Sequence, residues 1–89
     1  YFVLHQANRM INETIRKKLQ LAPEKVPSTL YDFGNTSSAS IPLTMSVRLR
    51  DALTTRAATV LMSGFGIGLS WGSCIVRMDS VVMPELVEV

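Results

Sequence analysis

Three places in this chain combine residue types suited to chemistry. His5 follows the apolar run Tyr1-Phe2-Val3-Leu4 and precedes a helical pattern, so it sits where a buried strand gives way to a helix. Asn35 follows Gly34 at a break between the strand-like tripeptide Thr29-Leu30-Tyr31 and a second helical pattern. Open α/β sheets place ligands at such strand-to-helix junctions. If the two strands are parallel neighbours, the imidazole and the carboxamide emerge at one end of the sheet and can converge. Phe65-Gly66-Ile67-Gly68 adds a tight turn whose backbone N–H groups can bind a developing oxyanion. Each feature also has a plainer use. A strand-end histidine is often a hydrogen-bonded structural residue, Asn before Thr at a turn is often a cap, and a glycine-rich stretch is often only a hairpin. The residues alone reach as far as a site at the strand C-termini.

These residues need elements to hold them. Residues 1–4 read as a short buried strand. Residues 6–19 read as a helix, with Ala7, Ile11, Ile15 and Leu19 on one face and Asn8, Arg9, Asn12, Glu13, Arg16 and Lys17 on the other. Pro23 marks a turn, and Thr29-Leu30-Tyr31 is strand-like. Thr36, Ser37 and Ser38 are candidate caps of a second helix reaching Leu53, with Pro42 tolerated near its first turn. Its buried stripe is Ile41, Met45, Leu49 and Leu53. Residues 59–62 and 74–76 read as two short strands around the glycine-rich turn. The order β-α-β-α-β-β predicts an α/β fold whose mixed sheet has parallel members and an antiparallel hairpin. Residues 79–89 form an acidic-apolar tail expected to be extended or loosely packed.

Composition narrows the function classes. The chain has 89 residues, of which 47% are hydrophobic. Its mean hydropathy of +0.24 is high for so small a domain, so part of its apolar surface is expected to lie against material beyond it, as in a fragment of a longer protein. A net charge of +2 is too weak to argue nucleic-acid binding. The single cysteine, Cys74, excludes an internal disulfide and a CxxC metal site, and fits a reducing compartment, the cytoplasm. No metal centre is expected. Residues 57–76 carry no charge and match a bilayer span of about 20 residues. Gly64, Gly66, Gly68 and Gly72 interrupt that stretch, which makes a hairpin the better reading and leaves no membrane segment.

Three blocks carry a resemblance: His5-Gln6-Ala7-Asn8, then Gly34-Asn35-Thr36-Ser37-Ser38-Ala39-Ser40-Ile41-Pro42, then Gly64 to Gly72 ending in Trp71-Gly72. In this order and spacing the chain resembles beta-ketoacyl-acyl-carrier-protein synthase III of the thiolase superfamily. The resemblance implies the C-terminal half of a thiolase-like αβαβα fold, with residues 1–78 as a partial second repeat and 79–89 as a C-terminal tail. It implies an acyltransferase that initiates fatty-acid synthesis. A cysteine from the N-terminal half of the same enzyme takes an acyl group from acyl-CoA. Malonyl-acyl-carrier protein then loses carbon dioxide, and its carbanion attacks the acyl-cysteine. The complete enzyme is expected to be a homodimer that needs no cofactor beyond its substrates.

By the same resemblance, His5 and Asn35 are the catalytic pair, donating N–H groups to the thioester oxygen that gains charge on decarboxylation. The backbone turn Gly66-Ile67-Gly68 supplies a second oxyanion site. The family's usual middle glycine is Ile67 here, which keeps the N–H but disfavours positive φ. Asn8 matches a residue near the pantetheine arm, while Arg9-Met10 departs from the family's usual arginine two positions after that asparagine. Arg9, Arg16, Lys17 and Lys18 form the face that would receive the acidic carrier protein. Cys74 lies in the last strand, is expected to pack as a small apolar residue, and is not the nucleophile. Two other readings stay open: a related condensing or acyl-transfer enzyme of secondary metabolism, and a non-catalytic small domain that docks an acidic partner.

Overall fold

The computed structural model describes residues 1–66, 68 and 70–88. Its regular elements are β1 (Phe2–Leu4), α1 (Arg9–Lys18), a 3-10 turn (Pro23–Lys25), α2 (Leu30–Phe33), a second 3-10 turn (Ser37–Ala39), α3 (Ser40–Arg48), α4 (Arg50–Thr55), β2 (Ala57–Gly66) and β3 (Ser70–Asp79). The strands form one sheet in the order β1-β2-β3. β1 runs parallel to β2, with Val3 opposite Met62, and β3 runs antiparallel to β2, with Val60 opposite Val76. The expected α/β class with a mixed sheet is therefore what the chain adopts, and the uncharged stretch is two antiparallel strands. No helix among the described residues is long and apolar enough to cross a membrane.

Strand periodicity sorts the sheet into two faces. On one, Val3 and Val60 are fully buried against Met45, Leu49 and Leu53 of the α3–α4 arm, with Ile41, Ala58, Met62 and Met78 packed around them. This is the stripe expected from the four-residue spacing. Burial of each such side chain contributes about 1.5–3 kcal/mol. The arm is not one helix as expected, because the chain bends between α3 and α4 at Leu49 (φ −116, ψ 5). The hydrogen bonds from Leu49 N to Met45 O (3.0 Å) and from Leu53 N to Leu49 O (2.8 Å) carry the apolar stripe across the bend. The tail packs against the same core. Val81 N donates to Leu53 O at 3.1 Å, and Arg50 Nε donates to Met83 O at 2.9 Å.

Three expectations need correction. The tripeptide Thr29-Leu30-Tyr31 is not a strand: Phe33 N and Gly34 N donate back to Thr29 O and Leu30 O, closing the short helix α2. Tertiary bonds decide this. Gln6, fully buried, accepts from Thr29 N, and Thr29 Oγ1 is hydrogen-bonded to Thr44 Oγ1, so no edge of the segment is left to pair. The second correction concerns α1, whose apolar face is not the buried one. Ile11 and Leu19 are 39% and 56% exposed, whereas Asn12, assigned to the polar face, is buried and donates to His5 O at 3.3 Å. Making that bond turns α1 so that Ile15 and Leu19 only border an apolar hollow beside Phe2 and Leu4. Thirdly, Cys74 is exposed rather than packed, because β3 is an edge strand with most of its side chains in solvent.

Candidate active site

The parallel β1–β2 pair carries the backbone beyond Leu4, where His5 N still donates to Ser63 O at 2.9 Å. The next peptide group is held just as firmly, since His5 O accepts from Ala7 N (3.1 Å) and from the Asn12 carboxamide. Gln6 adds a brace. Its Nε2 donates to Leu4 O at 2.8 Å, and its Oε1 accepts from Ser28 Oγ and Thr29 N, both at 3.1 Å. With backbone and neighbours fixed, the His5 ring makes one hydrogen bond and one aromatic contact among the described residues. Its Nδ1 is 2.5 Å from Ser40 Oγ, and its edge meets Phe65 at a centroid distance of 5.4 Å and an interplanar angle of 73°.

Asn35 arrives from a helix rather than a strand. Gly34 caps α2 at φ +66, a conformation that glycine adopts without a steric penalty. That turn delivers Asn35 to the start of the second 3-10 turn. Arg48 anchors this region by donating to Ser28 O at 3.0 Å and pairing with Asp32. The Asn35 Oδ1 accepts from Ser37 N at 2.9 Å. This assigns the carboxamide its orientation: the oxygen is engaged by backbone, and the NH₂ is the end free to donate.

His5 and Asn35 line one open cleft of about 710 Å³ together with Gly66. The convergence expected from neighbouring strands is thus reached by another route, strand end plus helix cap. The remaining wall includes Ser37, Ser40, Ile41 and Phe65, and among the described lining residues there is no Asp, Glu, Lys or Arg. A second hollow, of about 440 Å³, shares His5 and Asn35 and opens between Phe65 and Trp71. The pair therefore lines both hollows. An imidazole and a carboxamide in a partly apolar cleft are suited to an oxygen that acquires charge during a reaction.

Of the other predicted residues that the structure describes, only Gly66 lines the cleft. Gly66 ends β2 at the cleft, and Gly68 takes φ +86 in the connection to β3. Ile67 lies outside the described residues. Asn8 is exposed and caps α1, its side chain accepting from Ile11 N at 2.9 Å, and it does not line the cleft. The basic cluster separates into free and engaged members. Arg16 is hydrogen-bonded to Glu13 Oε2 (2.8 Å) and to Leu21 O (2.9 Å), and its side chain is only 18% exposed. That guanidinium holds the Glu13 carboxyl below the usual carboxylate range. Arg9, Lys17 and Lys18 are exposed. Arg9 and Arg16 border a groove of about 480 Å³ with Tyr31 at its far wall. Sequence reasoning assigned no role to Ser40 or to the Phe65 ring. Ser40 stands 35 residues from the histidine it touches, and no local pattern signals such a contact.

Comparison with known proteins gives a consistent result. Residues 1–78 match the family model described as 3-oxoacyl-[acyl-carrier-protein (ACP)] synthase III C terminal. The beta-ketoacyl-[acyl-carrier-protein] synthase III of Microcystis aeruginosa is 46% identical over 77 residues, covering 86% of this chain and 23% of the relative. The chloroplastic enzyme of that name from Arabidopsis thaliana is 44% identical over 77 residues, 86% of this chain and 19% of the relative. Among solved structures, the 3-oxoacyl-(acyl-carrier protein) synthase of Burkholderia xenovorans LB400 superposes with a TM-score of 0.87 at 37% identity, covering 94% of this chain and 24% of that one. The Thermus thermophilus synthase III gives 0.81 at 35% identity, covering 90% and 25%. The chain spans about a quarter of the length of these relatives or less.

Proposed function

The chain belongs to the family of 3-oxoacyl-[acyl-carrier-protein] synthase III C-terminal domains, and from that membership we propose that it is the part of such an enzyme that stabilises the decarboxylation step. In the complete enzyme an acyl group passes from acyl-CoA to a cysteine contributed by the N-terminal half. Malonyl-acyl-carrier protein then loses carbon dioxide, and His5 and Asn35 donate hydrogen bonds to the resulting enolate oxygen. The carbanion attacks the acyl-cysteine, a carbon–carbon bond forms, and the cysteine thiolate leaves. No further cofactor takes part. The backbone of the Gly66-Ile67-Gly68 turn serves the tetrahedral oxyanion of that second step, and Asn8 lies toward the pantetheine arm. Residues 1–78 constitute the domain and 79–89 its tail. The complete enzyme acts in the cytoplasm as a homodimer.

The single observation that supports this reading is the shared cleft, lined by both His5 and Asn35, with the Asn35 oxygen engaged by Ser37 N and no Asp, Glu, Lys or Arg among the described lining residues. Two donors on one oxygen favour decarboxylative condensation over simple acyl transfer, which has no enolate to hold. The test is release of labelled carbon dioxide from malonyl-acyl-carrier protein by the intact enzyme, followed together with transfer of the acyl group from acyl-CoA. Both activities are expected. Acyl transfer without carbon dioxide release would overturn the condensing assignment and leave an acyltransferase of secondary metabolism. Absence of both would favour a non-catalytic docking domain.

The exposed cations offer a separate check. Reversing Lys17 and Lys18 to Glu in the intact enzyme is expected to raise KM for the carrier-protein substrate by on the order of tenfold at low salt. The acyl-CoA step should be unchanged, and the difference should shrink as ionic strength rises. Equal effects on both substrates would remove the carrier protein from this face.

A further inference from the structure

We propose that the Ser40 hydroxyl is a positioning group: it donates to Nδ1 of His5 and so fixes the imidazole as the tautomer carrying its proton on Nε2. This rests on the proposed role of His5 as a donor, and it names what makes the ring a donor rather than an acceptor. Ser40 opens α3 and is 1% exposed. Its Oγ lies 2.5 Å from Nδ1 and has no other hydrogen-bond partner among the described residues. A hydroxyl has one hydrogen to give, and a neutral imidazole has one nitrogen that donates and one that accepts. Were Nδ1 to donate, the Ser40 hydrogen would be buried without an acceptor and Nε2 would be bare. With Ser40 donating, the buried hydroxyl is satisfied and Nε2–H is left to serve the cleft.

The surrounding hydroxyls are already committed in direction. Thr44 Oγ1 donates to Ser40 O at 2.7 Å, which uses the only hydrogen of that hydroxyl. In the 2.8 Å contact between Thr29 Oγ1 and Thr44 Oγ1, Thr29 must therefore be the donor. Thr29 N in turn donates to Gln6, the residue next to His5. A closed circuit of buried polar groups thus joins the end of β1, the start of α2 and the first turn of α3. It holds Ser40 in register with the ring. Among the described residues no carboxylate lines the cleft, and the Ser40 hydroxyl is the hydrogen-bond partner of the ring.

In the intact enzyme with ring-¹⁵N-labelled histidine, the His5 signals are identified as the pair lost in His5→Gln. At a pH where the ring is neutral, Nε2 is expected to show the protonated-type shift and Nδ1 the unprotonated-type shift. Ser40→Ala should lower the ratio of the two tautomers by about fivefold, and Ser40→Thr, which keeps the hydroxyl, should preserve it. In the intact enzyme Ser40→Ala should lower the decarboxylation kcat by a similar factor with KM unchanged. A wild-type ring protonated on Nδ1 overturns the proposal, as does a folded Ser40→Ala protein with an unaltered tautomer ratio. If Ser40→Ala fails to fold, the wild-type shifts decide alone. The tautomer is read without substrate, so this result stands or falls separately from the decarboxylation assay.

Discussion

In the intact enzyme, His5→Ala is expected to slow decarboxylation of the malonyl substrate by on the order of 10²–10³-fold, and Asn35→Ala by a comparable factor. The reasoning is electrostatic. Loss of carbon dioxide places negative charge on the thioester oxygen, and a preoriented N–H dipole in a cleft without competing charge stabilises that oxygen far more than it stabilises the neutral ground state. Both residues are preoriented by bonds that do not involve substrate, His5 through Ser40 and its own backbone, Asn35 through Ser37 N. On the proposed role, in which both donors address one oxygen, the double variant should lose less than the product of the single losses. Asn35→Asp is the sharper substitution. It keeps the shape but replaces the donating NH₂ with a carboxylate oxygen, and should be at least as slow as Asn35→Ala. Acyl transfer from acyl-CoA to the nucleophilic cysteine should persist in all of these variants. The measurement is single-turnover release of labelled carbon dioxide, and a change of less than about threefold in His5→Ala would remove the donor role.

The 89-residue chain, supplied with acyl-CoA and malonyl-acyl-carrier protein, should form no condensation product. Its single cysteine does not line the cleft. Cys74 pairs with Met62 across the β2–β3 ladder and lines a separate hollow with Ile41 and Gly72, not the cleft that holds His5 and Asn35. Acylation needs a thiolate next to the two donors, and this chain offers none there. Product formation by the chain would overturn this, and loss of that product in Cys74→Ser would identify the residue responsible. In the intact enzyme, Cys74→Ser is expected to leave the condensation rate within about twofold, because Cys74 does not line the cleft that holds His5 and Asn35.

Much of this could be read from residue order. The four-residue spacing of Ile41, Met45, Leu49 and Leu53 identified the stripe that the α3–α4 arm buries, because amphipathic periodicity is a property of single elements. The glycine-interrupted stretch indicated a hairpin for the same reason, although its strands run far longer than their apolar centres suggest, from Ala57 to Gly66 and from Ser70 to Asp79. Hydrogen-bond pairing continues into polar flanks that periodicity does not mark. The three motif blocks pointed to His5 and Asn35 and to the family, since motif residues are recognisable without coordinates.

What order and spacing left undecided were the relations between distant parts of the chain. Thr29-Leu30-Tyr31 has the composition of a strand, yet it is helical because Gln6 and Thr44, both remote in sequence, take up its polar groups. The pattern on α1 pointed its apolar stripe inward, and the His5 carbonyl turned it by binding Asn12 instead. The histidine was visible in the sequence, but its tautomer was not, since that depends on a serine on another helix 2.5 Å away. Local propensity and periodicity are short-range quantities. The orientation of a helix and the protonation of a ring are fixed by which polar groups meet once the sheet and its α3–α4 arm have closed around their shared apolar core.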